Sequence, residues 1–461
     1  MIRLIDNLLN RITMYRLILY YLISLIVLGF FLGMAHVILV QPVGLVSTLA
    51  IYLAVTLGAN ALLSKILKIK ANNESTIITA LILTLISGPV SVFTDPLHAL
   101  LLAVAGIFAV ASKYLLAFRK AHIFNPAALG IFLTGILFGE YSSWWVGSLQ
   151  MLPLVVVGGF LILRKINRFR LVGIFLGSFI VFLIAQTLIQ GQGFGFAFQT
   201  AQFVFLHTEL LFLAAVMLIE PLTSPKTMGM QAIYAVITSF FLLPQMTILG
   251  FTVTPELALL IGNLFSYIVS PSFKLVLELK ERREIGPNIM SFTFDYPKNF
   301  KHRLGQYMEW TLPLKKSDSR GNRRYFSIAS SPTEEKLMIA ARFYEGSSAY
   351  KRELSKLEPG KRVVAAELSG DFVLPQDPAI PLVFIAGGIG ITPFRSMIKY
   401  LVDKGEERKI TLVYSNYTAD EIVFKDVIEE AQKKIGLKTV YTLTDFNKIP
   451  KEWCGRTGFV D

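Results

Sequence analysis

A series of long apolar runs between residues 16 and 271 constrains this chain more than any other feature. Hydrophobic residues make up 53% of the 461 residues, more than an ordinary soluble protein contains. An apolar run of about 20 residues is long enough to cross a bilayer as a helix. The runs predict about ten membrane spans, at 16–38, 44–64, 75–93, 96–117, 126–141, 144–163, 171–190, 199–219, 229–249 and 255–271.

The positions of the basic residues predict the orientation of these spans. Short cytoplasmic loops retain Lys and Arg, and all fourteen Lys and Arg residues before residue 273 lie before or at the start of span one, or after or at the end of spans two, four, six and eight. The opposite loops carry only Asp95, Glu140 and Glu256. We therefore expect a multi-pass protein of the cell inner (cytoplasmic) membrane, in contact with lipid. Its N-terminus and everything after residue 271 should be cytoplasmic.

Composition also excludes several classes of site and partner. The single cysteine, Cys454, excludes a disulfide within the chain, a cysteine-ligated iron–sulfur cluster and an all-cysteine zinc site. The net charge of +13 is not gathered into a basic stripe interleaved with aromatics, so no nucleic-acid partner is expected. We expect no metal site, and the five histidines do not form the paired sets that hold haem between helices.

Proline and glycine interrupt several predicted spans, and two of these breaks lie at comparable places in the two halves of the segment, at 122–126 and 220–225. Irregular backbone at membrane depth is tolerated where it lines a cavity. Broken helices in corresponding halves are typical of an inverted repeat with a site between the halves. A simple helix kink is the alternative interpretation of each break.

The strings H-I-F-N-P-A-A-L-G at 122–130 and E-P-L-T-S-P at 220–225 resemble the membrane subunits B of sodium-pumping NADH:quinone reductase and D of the Rnf electron transport complex. Members of that family hold flavin within the membrane. The S-G-A-T motif that binds FMN covalently in them is absent here. The resemblance implies a non-covalent flavin or an ion near His122 and Asn125, beside other electron-transport subunits. Glu209 is a further candidate, because a carboxylate is costly to bury in a membrane.

After residue 271 the pattern changes to the alternation of apolar and polar residues that is typical of strands. The segment R-Y-F-S at 324–327 then brings together three groups that a flavin dinucleotide needs. Arg324 offers a cation for the pyrophosphate, Tyr325 and Phe326 offer aromatic rings, and Ser327 is a small donor for the edge where hydride arrives. Taken alone, the segment would be an ordinary strand with a surface arginine.

Two glycine-containing elements accompany this segment. Gly346, Ser347 and Ser348 open a predicted helix, and a helix N-terminus with hydroxyl residues suits phosphate. Further on, the apolar strand 381–386 runs into a glycine turn and then an amphipathic helix, which is the order found in dinucleotide-binding folds. The residues of this turn that we expect to approach a nucleotide are Gly387, Gly388, Gly390, Thr392 and Pro393.

Together these motifs resemble the ferredoxin–NADP reductase superfamily over 272–461. The apolar runs predict a polytopic α-helical membrane domain (1–271), and the resemblance implies that an antiparallel β-barrel FAD domain (272–376) and an α/β doubly wound NAD(P)-binding domain (377–461) follow it. It implies that Arg324 binds the FAD pyrophosphate, that Ser327 faces flavin N5 as the catalytic residue, and that 346–348 cradle phosphate.

Two departures from that family affect these expectations. The family's R-x-Y-S is R-Y-F-S here, which keeps a stacking ring but removes its hydroxyl. The family also continues beyond the W-C-G-R-T-G stretch at 453–458, so we expect the nucleotide domain to be incomplete at its C-terminus. Residues 410–423 contain no Lys or Arg that could bind the 2′-phosphate of NADPH, and they include the acidic residues Asp420 and Glu421. This composition favours NADH over NADPH.

The resulting hypothesis is a membrane-bound flavin oxidoreductase that moves electrons from NAD(P)H through FAD to a membrane acceptor such as flavin or quinone. Two alternatives stay open. One is a subunit of a redox-linked ion transporter, which the broken helices and Glu209 motivate. The other is a flavin-bearing sensor or assembly anchor without turnover.

Overall fold

The computed structural model describes residues 2–9, 12–68, 72–118, 121–248, 250–270, 274–298, 300–314, 318 and 321–460. Two compact units make up the chain, Met1–Phe273 and Lys274–Asp461. Some positions used above lie outside the described residues: the basic residues Arg11, Lys70, Arg119 and Lys120, and the expected boundary at 271–272.

The first unit is built from helices, with two short antiparallel ribbons. Within it α5 packs against α3 and α6, and α8 packs against α11. The elements are α1 (Ile2–Leu9), α2 (Met14–Met34), α3 (Pro42–Ile66), α4 (Asn73–Ile86), α5 (Pro96–Leu115), β1 (Ala117–Phe118), β2 (Ala121–His122), α6 (Pro126–Phe138), α7 (Leu152–Ile166), α8 (Phe169–Ile189), α9 (Phe194–His207), α10 (Leu210–Phe212) with a π-helical turn Leu213–Met217, α11 (Met228–Phe241), β3 (Thr247–Ile248), β4 (Phe251–Thr252) and α12 (Pro255–Val269).

Fewer helices than predicted are long enough to cross a membrane. Among the described residues four qualify by length and composition, α2, α3, α5 and α8, and α9 with Leu210–Met217, bent by 64°, would make a fifth. The apolar helices α4, α6, α11 and α12 have at most 15 residues, about 23 Å of helix against a hydrocarbon core of roughly 30 Å. The prediction of ten spans is therefore not supported, because several apolar runs are short helices ended by proline, glycine or capping residues.

Neighbouring side chains satisfy the polar groups exposed where α4 ends. The backbone N–H of Val90 donates to Thr48 Oγ1 at 2.8 Å, and the hydroxyls of Tyr52 and Ser87 lie 2.7 Å apart. All four residues are buried. The backbone groups freed where α4 ends are therefore paired within the packed helices, as buried backbone groups need to be.

The second unit begins with a six-stranded antiparallel sheet. The sheet contains the predicted strand 324–327 at its edge, and Phe294 and Trp310 pack in its core with ring centroids 4.9 Å apart. The predicted antiparallel sheet is therefore present, and its closure into a barrel stays a prediction. The strands are β5 (Lys274–Gly286), β6 (Ile289–Phe294), β7 (Tyr307–Thr311), β8 (Arg323–Ser327), β9 (Leu337–Arg342) and β10 (Arg362–Ser369), in the order β8-β7-β10-β5-β6-β9, with α13 (Ala349–Ser355) between β9 and β10.

A four-stranded parallel sheet follows. Its elements are β11 (Leu382–Gly387), α14 (Thr392–Lys404), β12 (Ile410–Asn416), α15 (Lys425–Ile435), β13 (Lys438–Leu443) and β14 (Arg456–Thr457), and the strands pair in chain order. Right-handed crossovers between strands in this order place their helices on one face, and α14 packs against α15. The second helical layer of a doubly wound fold does not occur in the part of the chain that the structure describes.

Candidate functional site

The four residues of the R-Y-F-S segment lie on β8 and divide between the two faces of the sheet. Side chains alternate along a strand, so Arg324 and Phe326 share one face, opposite Trp310 and Met308 of β7. Tyr325 and Ser327 share the other face. The two aromatic residues therefore cannot both present a ring to the same ligand, as the sequence interpretation had assumed.

On the first face, Arg324 and Phe326 meet a tyrosine that sequence reasoning missed. The Arg324 guanidinium lies 5.1 Å from the ring centroid of Tyr350, and the rings of Phe326 and Tyr350 are 6.1 Å apart. Tyr350 is fully buried, and burial raises the pKa of its hydroxyl. That hydroxyl has no hydrogen-bond partner among the described residues. The sequence signal that could have identified Tyr350 is its position two residues after Ser348, at the start of the predicted phosphate-binding helix.

The segment 346–348 approaches the same face and ends in a place that accepts an anion. Gly346 has a φ of 77°, and Ser348 caps α13 by accepting the N–H of Lys351 at 3.3 Å. The next amide, that of Ala349, donates to the Asp318 carboxylate at 2.9 Å. The other oxygen of Asp318 lies 3.9 Å from Arg324 Nη2. A carboxylate thus bridges two groups that were expected to hold phosphate.

The glycine turn lies at the carboxyl end of β11, the edge at which nucleotides bind parallel sheets. A 3₁₀ turn, Gly388–Ile391, connects the strand to α14, which begins at Thr392 with Pro393 in its first turn. Gly388 has a φ of 49°, a conformation that favours glycine. A Cβ added at Gly387, Gly388 or Gly390 would meet nothing within 4 Å. Open space therefore lies in front of all three glycines.

On the second face of β8, two buried acids that sequence reasoning missed lie beside Tyr325. Its hydroxyl donates to Glu367 Oε2 at 2.8 Å, and Arg323 Nη1 lies 3.2 Å from Glu309 Oε1. Burial, reinforced by the charge of Glu367, raises the pKa of Glu309 to about 7. Glu367 stands at a bulge of β10 with a φ of 53°. A left-handed glutamate in a strand costs of order 1–3 kcal/mol.

In the helical unit, the two predicted breaks meet. His122 Nε2 lies 3.0 Å from Glu220 Oε1, and Asn125 Nδ2 donates to Glu220 Oε2 at 2.9 Å. Asn125 also accepts the N–H of Ala128 as the cap of α6. Asn125 and Glu220 line a cavity of about 60 Å³, room for more than one water molecule.

The predicted membrane residues therefore separate into two places. His122 and Asn125 come together around Glu220, whereas Glu209 lies at the bend between α9 and α10. Glu220 was noted only as part of a broken segment. Its pairing with residues almost a hundred positions earlier could not be read from local sequence.

Comparison with known proteins assigns the end of the chain. Residues 384–461 match the model of a protein family described as the oxidoreductase NAD-binding domain. The C-terminal region contains an oxidoreductase NAD-binding domain. The matched range includes most of β11, all of the open glycine turn and the rest of the parallel sheet.

Proteins similar to the second half of the chain include named reductases. The reductase subunit Stc4 of stachydrine N-demethylase from Rhizobium meliloti is 28% identical over 186 residues, 40% of this chain and 52% of Stc4. Ferredoxin–NADP reductase B of Sorangium cellulosum is 27% identical over 181 residues, 39% of this chain and 72% of its own length. The chain spans about half the length of Stc4.

One solved structure is also similar. Ferredoxin–NADP+ reductase from Plasmodium falciparum aligns with a TM-score of 0.34 and 23% identity, over 38% of this chain and 76% of that one.

Proposed function

We propose that this protein is a membrane-bound flavin oxidoreductase that moves electrons from NAD(P)H through FAD to an acceptor in the membrane. The observation that carries the proposal is the open glycine turn at the carboxyl end of β11, inside the NAD-binding domain. Relatives named as reductases and as a flavohemoprotein support the same chemistry.

The described residues fit FAD at β8. Arg324 and the Ala349 amide already hold the carboxylate of Asp318, so they are able to hold an anionic pyrophosphate in its place, helped by 346–348. Phe326 supplies an aromatic face. Ser327 is the last residue of β8, and its hydroxyl is proposed to reach flavin N5 around the end of the strand, although its side chain belongs to the other face. FAD, when bound, supplies the conversion between hydride and single electrons. These residues position reactants and provide no acid or base for hydride transfer. The antiparallel sheet is proposed to form the FAD barrel.

The nucleotide is assigned to the turn formed by Gly387, Gly388, Gly390, Thr392 and Pro393. NADH is favoured over NADPH, because an acidic side chain after β12 suits a ribose hydroxyl and opposes a 2′-phosphate. Asp420 is exposed and available for this contact. Glu421 is not, because Arg342 holds both of its carboxylate oxygens.

The acceptor is proposed to be a flavin or a quinone in the first unit, beside the cavity lined by Asn125 and Glu220. This placement requires the long apolar helices to lie in the cytoplasmic membrane, with the reductase region in the cytoplasm. The breaks that meet at His122, Asn125 and Glu220 are the reason for proposing kinship with subunits B and D of the ion-pumping complexes, and contact with other electron-transport subunits. A non-covalent flavin would lie beside this cavity and not within it, because about 60 Å³ is too small for a flavin ring system.

A redox-linked ion transporter subunit is the second candidate, and the hydrogen-bonded cluster of His122 and Glu220 beside a cavity favours it. Turnover in proteoliposomes separates the two functions. If ions are coupled, an imposed sodium or proton gradient changes the rate of NADH oxidation. If electron transfer is the whole function, the rate is indifferent to either gradient.

Acid extraction of the purified protein followed by mass analysis tests the flavin site. FAD is expected in the unmodified protein and is expected to be lost from Arg324→Ala. Arg323→Ala is a matched control, since this neighbouring arginine lies on the opposite face of β8 and contacts Glu309. Equal FAD in the Arg324 and Arg323 variants, or no flavin in the unmodified protein, would contradict the proposal.

A further inference from the structure

One buried arginine joins the flavin segment to the nucleotide turn. Arg395 lies in the first turn of α14, three residues after Thr392, and is only 7% exposed. Its Nη2 donates to Glu334 Oε1 at 2.9 Å, and its Nη1 binds the other oxygen of Glu334. The two parallel contacts form the bidentate pair that only arginine can make.

The same guanidinium also holds the chain that continues from β8. Arg395 Nη1 donates to the backbone oxygen of Ala329 at 3.1 Å, two residues after Ser327. Beside it, Ser396 Oγ donates to the oxygen of Ser330 at 2.7 Å. Two successive carbonyl groups just after Ser327, those of Ala329 and Ser330, therefore accept hydrogen bonds from the start of α14.

The environment of Arg395 fixes its geometry closely. The guanidinium lies 5.6 Å from the ring centroid of Phe424, and its Nε–H has no hydrogen-bond partner among the described residues. A buried donor left unsatisfied costs stability. Arg395 therefore makes its contacts with Glu334 and Ala329 at some cost to stability.

We propose that Arg395 is a positioning residue for hydride transfer, which sets the spacing between Ser327 and the 387–393 turn so that nicotinamide and flavin meet at reacting distance. This inference rests on the function proposed above. Reacting atoms must lie about 3–3.5 Å apart, and a misplacement of about 1 Å costs on the order of a hundredfold in rate.

The chain offers a matched control. Arg342 also forms a bidentate pair across the same two sheets, with Nη1 2.9 Å and Nη2 2.5 Å from the oxygens of Glu421. It lies at the end of β9 and does not touch 328–331. Replacing either arginine by lysine keeps the charge and breaks the fork, but only the change at Arg395 releases the carbonyl of Ala329.

The test compares Arg395→Lys and Arg342→Lys in the full-length, FAD-loaded protein by anaerobic rapid mixing with NADH and with NADH deuterated at C4. For Arg395→Lys we expect a limiting rate of flavin reduction at least about tenfold lower, with NADH affinity and FAD content within about twofold of the unmodified protein. The deuterium isotope effect should be retained or larger. Arg342→Lys should keep its limiting rate within about twofold.

A second measurement does not depend on turnover. In the flavin-free protein, amide hydrogen exchange of the peptide containing 328–331 should accelerate in Arg395→Lys and not in Arg342→Lys. If Arg395→Lys does not fold, Ser396→Ala replaces it and should lower the limiting rate in the same way, by a smaller factor.

Each remaining outcome is decisive. Equal limiting rates in the Arg395 and Arg342 variants, or a loss at Arg395 that appears only as weaker NADH binding, would overturn the positioning role. Failure of NADH to reduce the flavin of the unmodified protein would refute the proposed function itself, together with the role that rests on it.

Discussion

Replacing Glu309 by glutamine should stabilise the second unit at alkaline pH and leave it unchanged at acid pH. Glu309 is 6% exposed, and burial beside Glu367 raises its pKa from an ordinary value of 4.5 to about 7. The folded protein therefore keeps a proton on Glu309 that the unfolded chain releases. Stability contributed by this proton falls as the pH rises from about 4.5 to about 7. Glutamine cannot ionise, so the variant escapes this loss.

The size of the effect follows from the two pKa values. Their difference corresponds to ~3 kcal/mol of stability lost above pH 7. The pKa of about 7 already includes the attraction of Arg323, so the ion pair between Arg323 and Glu309 is not subtracted again. A gain of ~3 kcal/mol is therefore expected at about pH 8. For a unit of this size it raises the melting temperature by roughly 6–12 °C.

Thermal unfolding of the full-length protein in detergent, followed by near-ultraviolet circular dichroism at about pH 5 and about pH 8, measures this difference. Glu281→Gln is a suitable control, because Glu281 is exposed on β5 and its replacement should have the same small effect at both pH values. An equal gain from Glu309→Gln at both pH values, or a loss at the higher one, would refute the reasoning.

Three further changes are expected to have specific effects. Gly388→Ala should cost about 1–2 kcal/mol of stability, because the φ of Gly388 is 49°. It should also weaken NADH binding in an equilibrium titration, and unaltered binding would exclude this turn from the nucleotide site. Tyr350→Phe removes a buried hydroxyl without a described partner, so the flavin-free protein should lose no stability and gain up to about 1 kcal/mol in denaturant unfolding; a clear loss would mean that the hydroxyl is bonded. Glu220→Ala breaks contacts with three side chains, His122, Asn125 and Thr223, and should lower the melting temperature in detergent, whereas Glu74→Ala at an exposed position should not.

The local elements of the second unit could be predicted because their signals are local. The alternation that follows residue 271 and the apolar run before the glycines correspond to β5 and β11. The glycine turn after β11 could also be predicted from local sequence, because a positive φ such as that of Gly388 favours glycine.

Contacts between distant strands could not be predicted in the same way. Glu309 lies near Glu367 because β7 pairs with β10 in a register that sets Glu309 opposite Ala366, and no sequence pattern gives that register without the fold. The same holds for Arg395 and Glu334, which are 61 positions apart.

The number of spans was overestimated for a related reason. A helix of 13 residues such as α6 is as apolar as a complete span, so hydropathy alone cannot tell a half-helix from a full one. Only packing shows that Asn125 and Glu220, at the ends of two such breaks, meet at one cavity.

Anaerobic rapid mixing of the purified full-length protein with NADH tests the central claim most directly. The account predicts that excess NADH bleaches the absorbance band of oxidised flavin, and that the band returns when a quinone is then added to the protein in lipid vesicles. A flavin that stays oxidised in the presence of excess NADH would contradict it.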